Sequence, residues 1–245
     1  MPFLGRHLQR AMKILGVIVI SICLAPAVMA QTDASGEPRG VPVAPAINDQ
    51  RMFGVMPDYQ TVRDPHAKVF PLTIKEKWTL LAKSTIDPFN IASAAMGAGM
   101  SQIGDQTPKY GYGKGALGDR MGAAVADMTT QNFFSVGVLA CVLHQDPRYF
   151  RKGPQYSILK RSAYSISRLV VTRRDSGANT FNSSGIFGMA LGIGASNLYY
   201  PPASANTGVM LGRLNTSLSS GVIGNLMSEF WPDLQSKFFH RRHRR

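Results

Sequence analysis

The feature that most constrains this chain is a row of small residues, spaced four positions apart, near its C-terminal end. The row consists of Gly208, Gly212, Thr216, Ser220, Gly224 and Ser228. Shorter rows with the same spacing are Gly118, Gly122, Ala126 and Thr130, and Ser184, Gly188, Gly192 and Ser196. Small residues at this spacing let helix backbones approach closely. Because a step of four drifts by about 40° on a 3.6-residue helix, only about two or three members share one seam. The rows therefore predict close helix packing over short lengths.

Helix signals recur from Thr73 onward. Thr73 and Glu76 form a capping box, and Asp87-Pro88 is typical of a boundary between two helices. Periodicity predicts further helices, which are Phe89–Ile103, Leu117–Leu143, Ile158–Val171, Ser184–Tyr199 and Thr207–Phe230. We expect an all-α fold, a compact bundle of about six helices rich in small-residue packing, over residues 73–239.

Three of these helices carry more detailed expectations. Phe89–Ile103 has no charged residue, which favours burial on most sides. Ile158–Val171 is amphipathic, and its apolar stripe is Leu159, Ala163, Ile166 and Val170. The last helix is expected to close at Glu229–Asp233, which contains Pro232.

A second fold stays open as an alternative. Between Phe187 and Gly194, large apolar residues alternate with glycine and alanine. Strands of an outer-membrane β-barrel show such alternation, although the signal is weak for any one segment. Alternation is missing from residues 117–143, which favours the helical interpretation there.

The N-terminal thirty residues are typical of a secretory signal peptide. Arg6, Arg10 and Lys13 precede the apolar run Ile14–Leu24, and Val28 and Ala30 suit a cleavage site after residue 30. An uncleaved anchor is the alternative interpretation. We expect an exported protein in the periplasm or at the outer-membrane surface. Residues 31–72 follow as a Pro- and Gly-rich disordered leader, up to residue 50, and an extended segment.

The chain is strongly basic, with a formal net charge of +13. Residues 148–174 hold eight basic side chains and no acid, interleaved with tyrosine and phenylalanine, and residues 240–245 form a basic tail. In an exported protein this pattern favours anionic lipid or another envelope polyanion as partner, and disfavours nucleic acid. A solvated basic face is an equally good interpretation, and a protein partner stays open. The predicted anion or lipid contacts are Lys109, Lys114, Arg148, Arg151, Lys152, Lys160, Arg161 and Arg168.

Catalytic chemistry has one weak candidate. His144 with Asp146 offers a base and its orienting acid, which makes a hydrolase an alternative function. The competing interpretation is structural, with His144 in a last helical turn and Asp146 starting a turn before proline. The chain contains neither Gly-x-Ser-x-Gly nor His-Glu-x-x-His. We predict no metal site and no cofactor, and enzyme activity stays uncertain.

Two further sequence features bear on ligand binding and on thiol reactivity. Gly113–Gly118 matches Gly-x-Gly-x-x-Gly but has no preceding strand and no acid about twenty residues on, which predicts a loop rather than a nucleotide site. The first turn of the helix that follows this loop lies beside Lys109 and Lys114 and could still hold a phosphate or a lipid head group. Once the signal is removed, Cys141 is the single cysteine, and its apolar surroundings predict a buried, inert thiol.

Three short segments resemble an uncharacterised family of exported bacterial proteins. They are His144–Phe150, Tyr199–Pro202 and Glu229–Asp233, and the resemblance covers about residues 73–240. No activity is known for that family, so the resemblance implies export but no catalytic or binding residue.

Overall fold

Helices make up most of the structure, a computed structural model that describes residues 51–52, 56–64, 69–103, 106 and 108–240. All of these residues lie within one unit of the chain, Ala44–Arg245. The predicted signal peptide, the leader up to residue 50 and residues 241–245 of the basic tail lie outside the described residues.

Six helices of ten or more residues occur in the described part of the chain. They are α1 (Ile74–Ile86), α2 (Pro88–Ile103), α3 (Lys114–Asn132), α4 (Ile158–Ser167), α5 (Ser183–Ser196) and α6 (Thr207–His240). The predicted all-α bundle is therefore confirmed. The strand interpretation of Phe187–Gly194 is wrong, because this segment lies inside α5.

Local signals place the helix boundaries as expected. The Thr73 side chain accepts from the backbone of Glu76, whose carboxylate accepts from the Thr73 N–H at 2.7 Å. Asp87 separates α1 from α2 in an extended conformation. After α3 the chain continues as a π-helix, Phe133–Leu139, and a last turn, Ala140–Val142. His144, with a φ of 51°, then ends the helix in the left-handed region.

Helix α6 extends beyond its expected end. Pro232 lies inside the helix, which continues to His240. A proline normally disrupts the hydrogen bonds of the turn before it. Here the carbonyl of Glu229, in that turn, accepts from Arg151 Nε at 2.8 Å and from Arg161 Nη2 at 2.7 Å. Arg151 and Arg161 thus contact the backbone of α6 from outside the helix, in the turn before Pro232.

Short strands connect the helices. They are β1 (Arg51–Met52), β2 (Met56–Pro57), β3 (Thr61–Val62), β4 (Gln145–Asp146), β5 (Tyr149–Phe150), β6 (Val171–Arg174) and β7 (Asn179–Phe181). β1 pairs with β2, β3 runs parallel to β5, and β4-β6-β7 form an antiparallel sheet. Asp146 lies opposite Arg173, and Tyr149 opposite Thr61. Residues 145–150 thus pair with β6 through strand β4 and with β3 through strand β5.

The small-residue rows of α5 and α6 have different surroundings. In α5, Ser184, Gly188, Gly192 and Ser196 are all buried. A Cβ on Gly188 would lie 2.5 Å from the Cα of Ser135, and one on Gly192 would lie 2.8 Å from the Cα of Gln131. In α6, by contrast, five of the six members of the row are exposed, and a Cβ on Gly212 or Gly224 would meet nothing. Close packing thus occurs at the shorter row.

The apolar core is small. Tyr59, Leu72, Leu80, Leu81 and Val136 form its buried cluster, and Trp78 and Phe133 pack against it. Helix α2 contributes one buried residue, Ala98, so the expectation that α2 is buried on most sides is wrong. Among the described residues, no helix combines the length and the apolar character needed to cross a membrane.

Candidate functional site

Helix α4 is turned with its polar side inward. Arg161, Ser165 and Arg168 are buried, whereas Leu159 is 81 % exposed and Ile166 is 50 % exposed. An amphipathic helix of a globular protein normally buries its apolar stripe. The inverted orientation means that something in the interior must satisfy the basic side chains.

That partner is Glu229 on α6, whose side chain is fully buried. Its carboxylate accepts from Arg161 Nε at 2.8 Å, from the Tyr149 hydroxyl at 2.9 Å and from the N–H groups of Lys152 and Gly153 at 2.9 and 3.1 Å. A buried charge is tolerated only when it is paired and hydrogen-bonded. Glu229 meets both conditions.

One helical turn further, Asp233 completes the cluster. Its carboxylate accepts from Arg161 Nη2 at 2.5 Å and from Arg151 Nη2. Burial acts to raise the pKa of Asp233, but the hydrogen bonds and charges of Arg151 and Arg161 outweigh it and lower the pKa. Two carboxylates and two guanidinium groups thus join α6, α4 and the segment after β5, and we call them the Glu229 cluster.

A third buried arginine pairs within the β4–β5 segment. Arg148 Nε lies 3.0 Å from Asp146 Oδ1, and Arg148 Nη2 lies 2.6 Å from Asp146 Oδ2 and 2.8 Å from the carbonyl of Phe70. Three of the predicted anion or lipid contacts, Arg148, Arg151 and Arg161, are therefore buried and paired with carboxylates rather than presented at a surface. Their contact with an anion or a lipid stays a prediction. Their charges are balanced inside the protein by carboxylates that are close in space, although Glu229 and Asp233 are distant in sequence.

Arg168 is also buried, but its partners differ from those of Arg148, Arg151 and Arg161. Its Nη1 donates to Asn179 Oδ1 at 3.0 Å, and its guanidinium lies 5.6 Å from the centre of the Tyr164 ring. Within the described part of the chain it forms no ion pair with a carboxylate. Burial lowers the pKa of Arg168, and the nearby positive charge of Arg173 acts in the same direction.

Arg168 lines a cavity of about 170 Å³. The end of α4, the start of α5, the middle of α6 and the π-helix all contribute to its wall, through side chains that include Ser184, Asn182, Asn225 and Ser135. The β4–β5 segment and Thr172 on β6 also line it, so the cavity is the place where the inward-facing side of α4 meets several other segments.

The predicted lysine contacts lie at or near the surface. Lys109, Lys114 and Lys160 are exposed. Lys152 is half-buried, and its Nζ lies 4.7 Å from the centre of the Tyr156 ring and 5.0 Å from that of Tyr164. Of the eight predicted contacts, these lysines are the ones that remain accessible to an external partner.

The structure does not bring His144 and Asp146 together. The Asp146 carboxylate is buried against Arg148, whereas the exposed His144 ring has its Nδ1 3.9 Å from Asp175 Oδ2. Asp175 itself accepts from the buried Lys77 at 2.8 Å. A general base needs direct contact with the acid that orients it, so this geometry does not support the predicted dyad.

A second polar cluster surrounds Asp127 on α3. Its carboxylate accepts from the hydroxyls of Tyr199 and Tyr200 and, at 3.0 Å, from Arg213 Nη2. Burial is the largest cause that raises the pKa of both tyrosines, and the charge of Asp127 adds to it. The cluster joins α3, the end of α5 and α6, and nothing in the sequence spacing pointed to it.

Three further features named by the sequence have the following surroundings. Cys141 is partly buried, and burial raises the pKa of its thiol, which fits an unreactive side chain. Gly113, with a φ of 111°, precedes α3 in the Gly-rich loop. Over the ranges that the structure describes, no three His, Cys, Asp or Glu side chains gather where they could hold a metal ion.

Comparison of the chain with models of known families, with curated proteins and with solved structures finds no match.

Proposed function

We propose that this chain is an exported cell-envelope protein with a structural or binding role, and that it binds a membrane surface through its outward-facing apolar side chains. The observation that carries the proposal is the orientation of α4. Its apolar stripe faces outward, and Arg161 on its inner face is paired with Glu229 and Asp233.

The exposed apolar surface is not confined to α4. On α2, Met96, Met100 and Ile103 are each more than 60 % exposed. Single exposed apolar residues are normal in soluble proteins, but groups of them on neighbouring turns mark interaction surfaces. A helix whose apolar face lies in the boundary between head groups and acyl chains would bury such side chains.

The exposed lysines favour binding to an anionic membrane over binding to a neutral one. The exposed Lys160 lies next to Leu159 in α4, and Lys109 and Lys114 precede and begin α3. Each lysine near an anionic membrane surface contributes roughly 1 kcal/mol of attraction. The predicted signal peptide would deliver the chain to a compartment bounded by such membranes.

Flotation of the full chain with vesicles tests the proposal. We expect binding to phosphatidylcholine vesicles containing phosphatidylglycerol, and weaker binding to phosphatidylcholine alone. The double variant Leu159→Gln/Ile166→Gln should weaken binding at least about tenfold, because each exposed side chain contributes more than 1 kcal/mol when it enters an apolar phase.

The matched control is Leu198→Gln/Leu234→Gln, which removes two exposed leucines that lie outside α4. Equal loss of binding in both double variants would contradict a role for α4. A chain that binds no vesicle but forms dimers lost in Leu159→Gln/Ile166→Gln would replace the membrane with a second copy of the protein. Fractionation of cells tests the proposed export separately.

A further inference from the structure

The cavity beside Arg168 combines a buried positive charge with an unused hydroxyl group. Arg168 and Ser184 both line it, and their side chains are 9 % and 4 % exposed. Within the described residues the Ser184 hydroxyl takes part in no hydrogen bond. Both groups therefore present hydrogen-bonding capacity to the cavity.

Arg168 differs from the other buried arginines in the partners that surround its charge. Arg148, Arg151 and Arg161, which are equally buried, each pair with a carboxylate. Arg120, which is also buried, donates to a set of oxygens that includes Gln102 Oε1 at 2.7 Å and the carbonyl of Gln106 at 2.6 Å. Among the residues that the structure describes, Arg168 has one such oxygen, on Asn179. Since a buried charge without a partner is costly, an anion in the cavity would compensate it.

The first turn of α5 is fixed in place beside the cavity. The N–H of Ser184 is held by Gln145 Oε1 at 2.9 Å, and that of Gly185 by Asn182 Oδ1 at 3.0 Å. These bonds fix the first turn of α5, and with it the position of the Ser184 hydroxyl. The positive end of the helix dipole also favours an anion at this place.

The size of the cavity restricts what can enter. Its volume of about 170 Å³ corresponds to roughly five waters at ~30 Å³ each. Pockets for drug-sized ligands are larger, about 300–1,000 Å³. A group of about five heavy atoms is therefore the appropriate size.

We propose that this cavity binds a small oxyanion of the phosphate type, held by Arg168 and the Ser184 hydroxyl. The oxyanion would be free phosphate or the phosphate group of a lipid that reaches in from the surface. Site and ligand are independent of the membrane contact made by the outer face of α4.

Thermal unfolding of the full chain with increasing inorganic phosphate tests the proposal, with sodium chloride at matched ionic strength as reference. We expect saturable stabilisation of the wild-type chain by phosphate. Arg168→Gln should weaken this response about tenfold or more, because it removes the charge-assisted hydrogen bonds. Ser184→Ala, which keeps every charge, should weaken it several-fold.

The matched control is Arg174→Gln, which removes one exposed arginine from strand β6 outside the cavity. It should retain the full response. An equal response to phosphate in Arg168→Gln and Arg174→Gln would overturn the proposal, as would equal stabilisation by phosphate and chloride. If Arg168→Gln fails to fold, the proposal is decided by Ser184→Ala, and an undiminished response in that variant would overturn it.

The source of the oxyanion is resolved by vesicles that contain phosphatidic acid. A weaker interaction of Arg168→Gln with these vesicles, together with loss of the free-phosphate response, would assign the cavity to a lipid head group. Loss of the free-phosphate response alone would assign it to a soluble ion. Failure of all vesicle binding with an intact phosphate response would refute the proposed membrane contact and leave the cavity site standing.

Discussion

The inner and outer faces of α4 carry the reverse of the usual distribution of residues. The inner face holds Arg161, Ser165 and Arg168, and the outer face holds Leu159 and Ile166. On the inner face, Arg161 is paired with Glu229 and Asp233, which lie on a helix that begins about forty residues later in the chain. The comparison shows that paired charges can hold a helix in place while its apolar stripe stays available for another surface.

The small-residue rows of α5 and α6 show the same division between a packed face and an open face. In α5, Gly188 allows the backbone of Ser135 to come close, whereas Gly224 in α6 has no neighbour within 4 Å of a built Cβ. Identical spacing therefore has opposite consequences, depending on which helix lies opposite. Five predictions test this division between packed and open faces, from the largest expected effect to the smallest.

Glu229→Gln should have the largest effect. It leaves the guanidinium groups of Arg151 and Arg161 with one carboxylate between them, and breaking a buried pair costs about 3–5 kcal/mol. Urea unfolding followed by circular dichroism measures the free energy of unfolding. Asp119→Asn, which removes an exposed carboxylate from α3, is the control. A loss below 1 kcal/mol in Glu229→Gln would show that the cluster does not hold α4.

Gly188→Ala should destabilise the protein by about 1–3 kcal/mol, because the added methyl group overlaps the backbone of Ser135. Gly194→Ala on the same helix has free space and serves as the control. Thermal unfolding of both variants compares them directly. Equal melting temperatures would mean that α5 does not pack closely on the π-helix.

Protonation of Asp233 in acid should reduce the stability that the Glu229 cluster contributes to the fold. Because the pKa of Asp233 is lowered in the folded protein, its carboxylate contributes stability that is present above the unfolded-state pKa of about 3.9. That contribution is lost as the pH falls through the folded-state pKa. Asp233→Asn should therefore flatten the dependence of stability on pH below about pH 4. Unfolding curves measured across this range, with Asp119→Asn for comparison, should show the flattening in Asp233→Asn alone.

Gly224→Ala should stabilise the protein by about 0.5–1 kcal/mol, because alanine restricts the unfolded chain and the folded structure has room for its methyl group. Gly212→Ala should behave in the same way, since its position is equally open. Melting temperatures of the two variants measure the effect. Destabilisation of both would indicate that the row on α6 packs against a second copy of the chain.

Leu159→Gln should change the free energy of unfolding least, by no more than about 0.5 kcal/mol, because its side chain is already exposed. Its effect is expected on vesicle binding instead. Leu80→Gln, in the buried core, provides the contrast and should be severely destabilised. A large loss of stability in Leu159→Gln would show that the outer face of α4 contributes to folding.

Much of the helical architecture could be predicted from short-range signals. The Thr73 capping box and the Asp87-Pro88 boundary act over a few residues, so the sequence contains all the information they need. The contacts that α6 makes in the turn before Pro232 could not be predicted in this way, because the donors to the Glu229 carbonyl come from Arg151 and Arg161.

The candidate site was predicted only in part. The sequence names Arg168 as one of eight predicted anion or lipid contacts and does not distinguish it from the other seven. Periodicity shows which residues share a helix face, but it does not show which face is turned inward. The sequence gives Ser184 no role beyond its place in a small-residue row, and the cavity that it shares with Arg168 exists only where several distant segments meet.

By itself the sequence determined where most helices begin and end, how close their backbones can come and how basic the chain is. These properties depend on neighbouring residues and on composition. The tertiary structure alone decided that α4 turns its arginines inward, that Arg168 meets no carboxylate among the described residues and that the row on α5, rather than the longer row on α6, is packed. Each of these outcomes depends on which distant segment supplies the opposing atoms, since charge pairing and close packing are short-range in space but not in sequence.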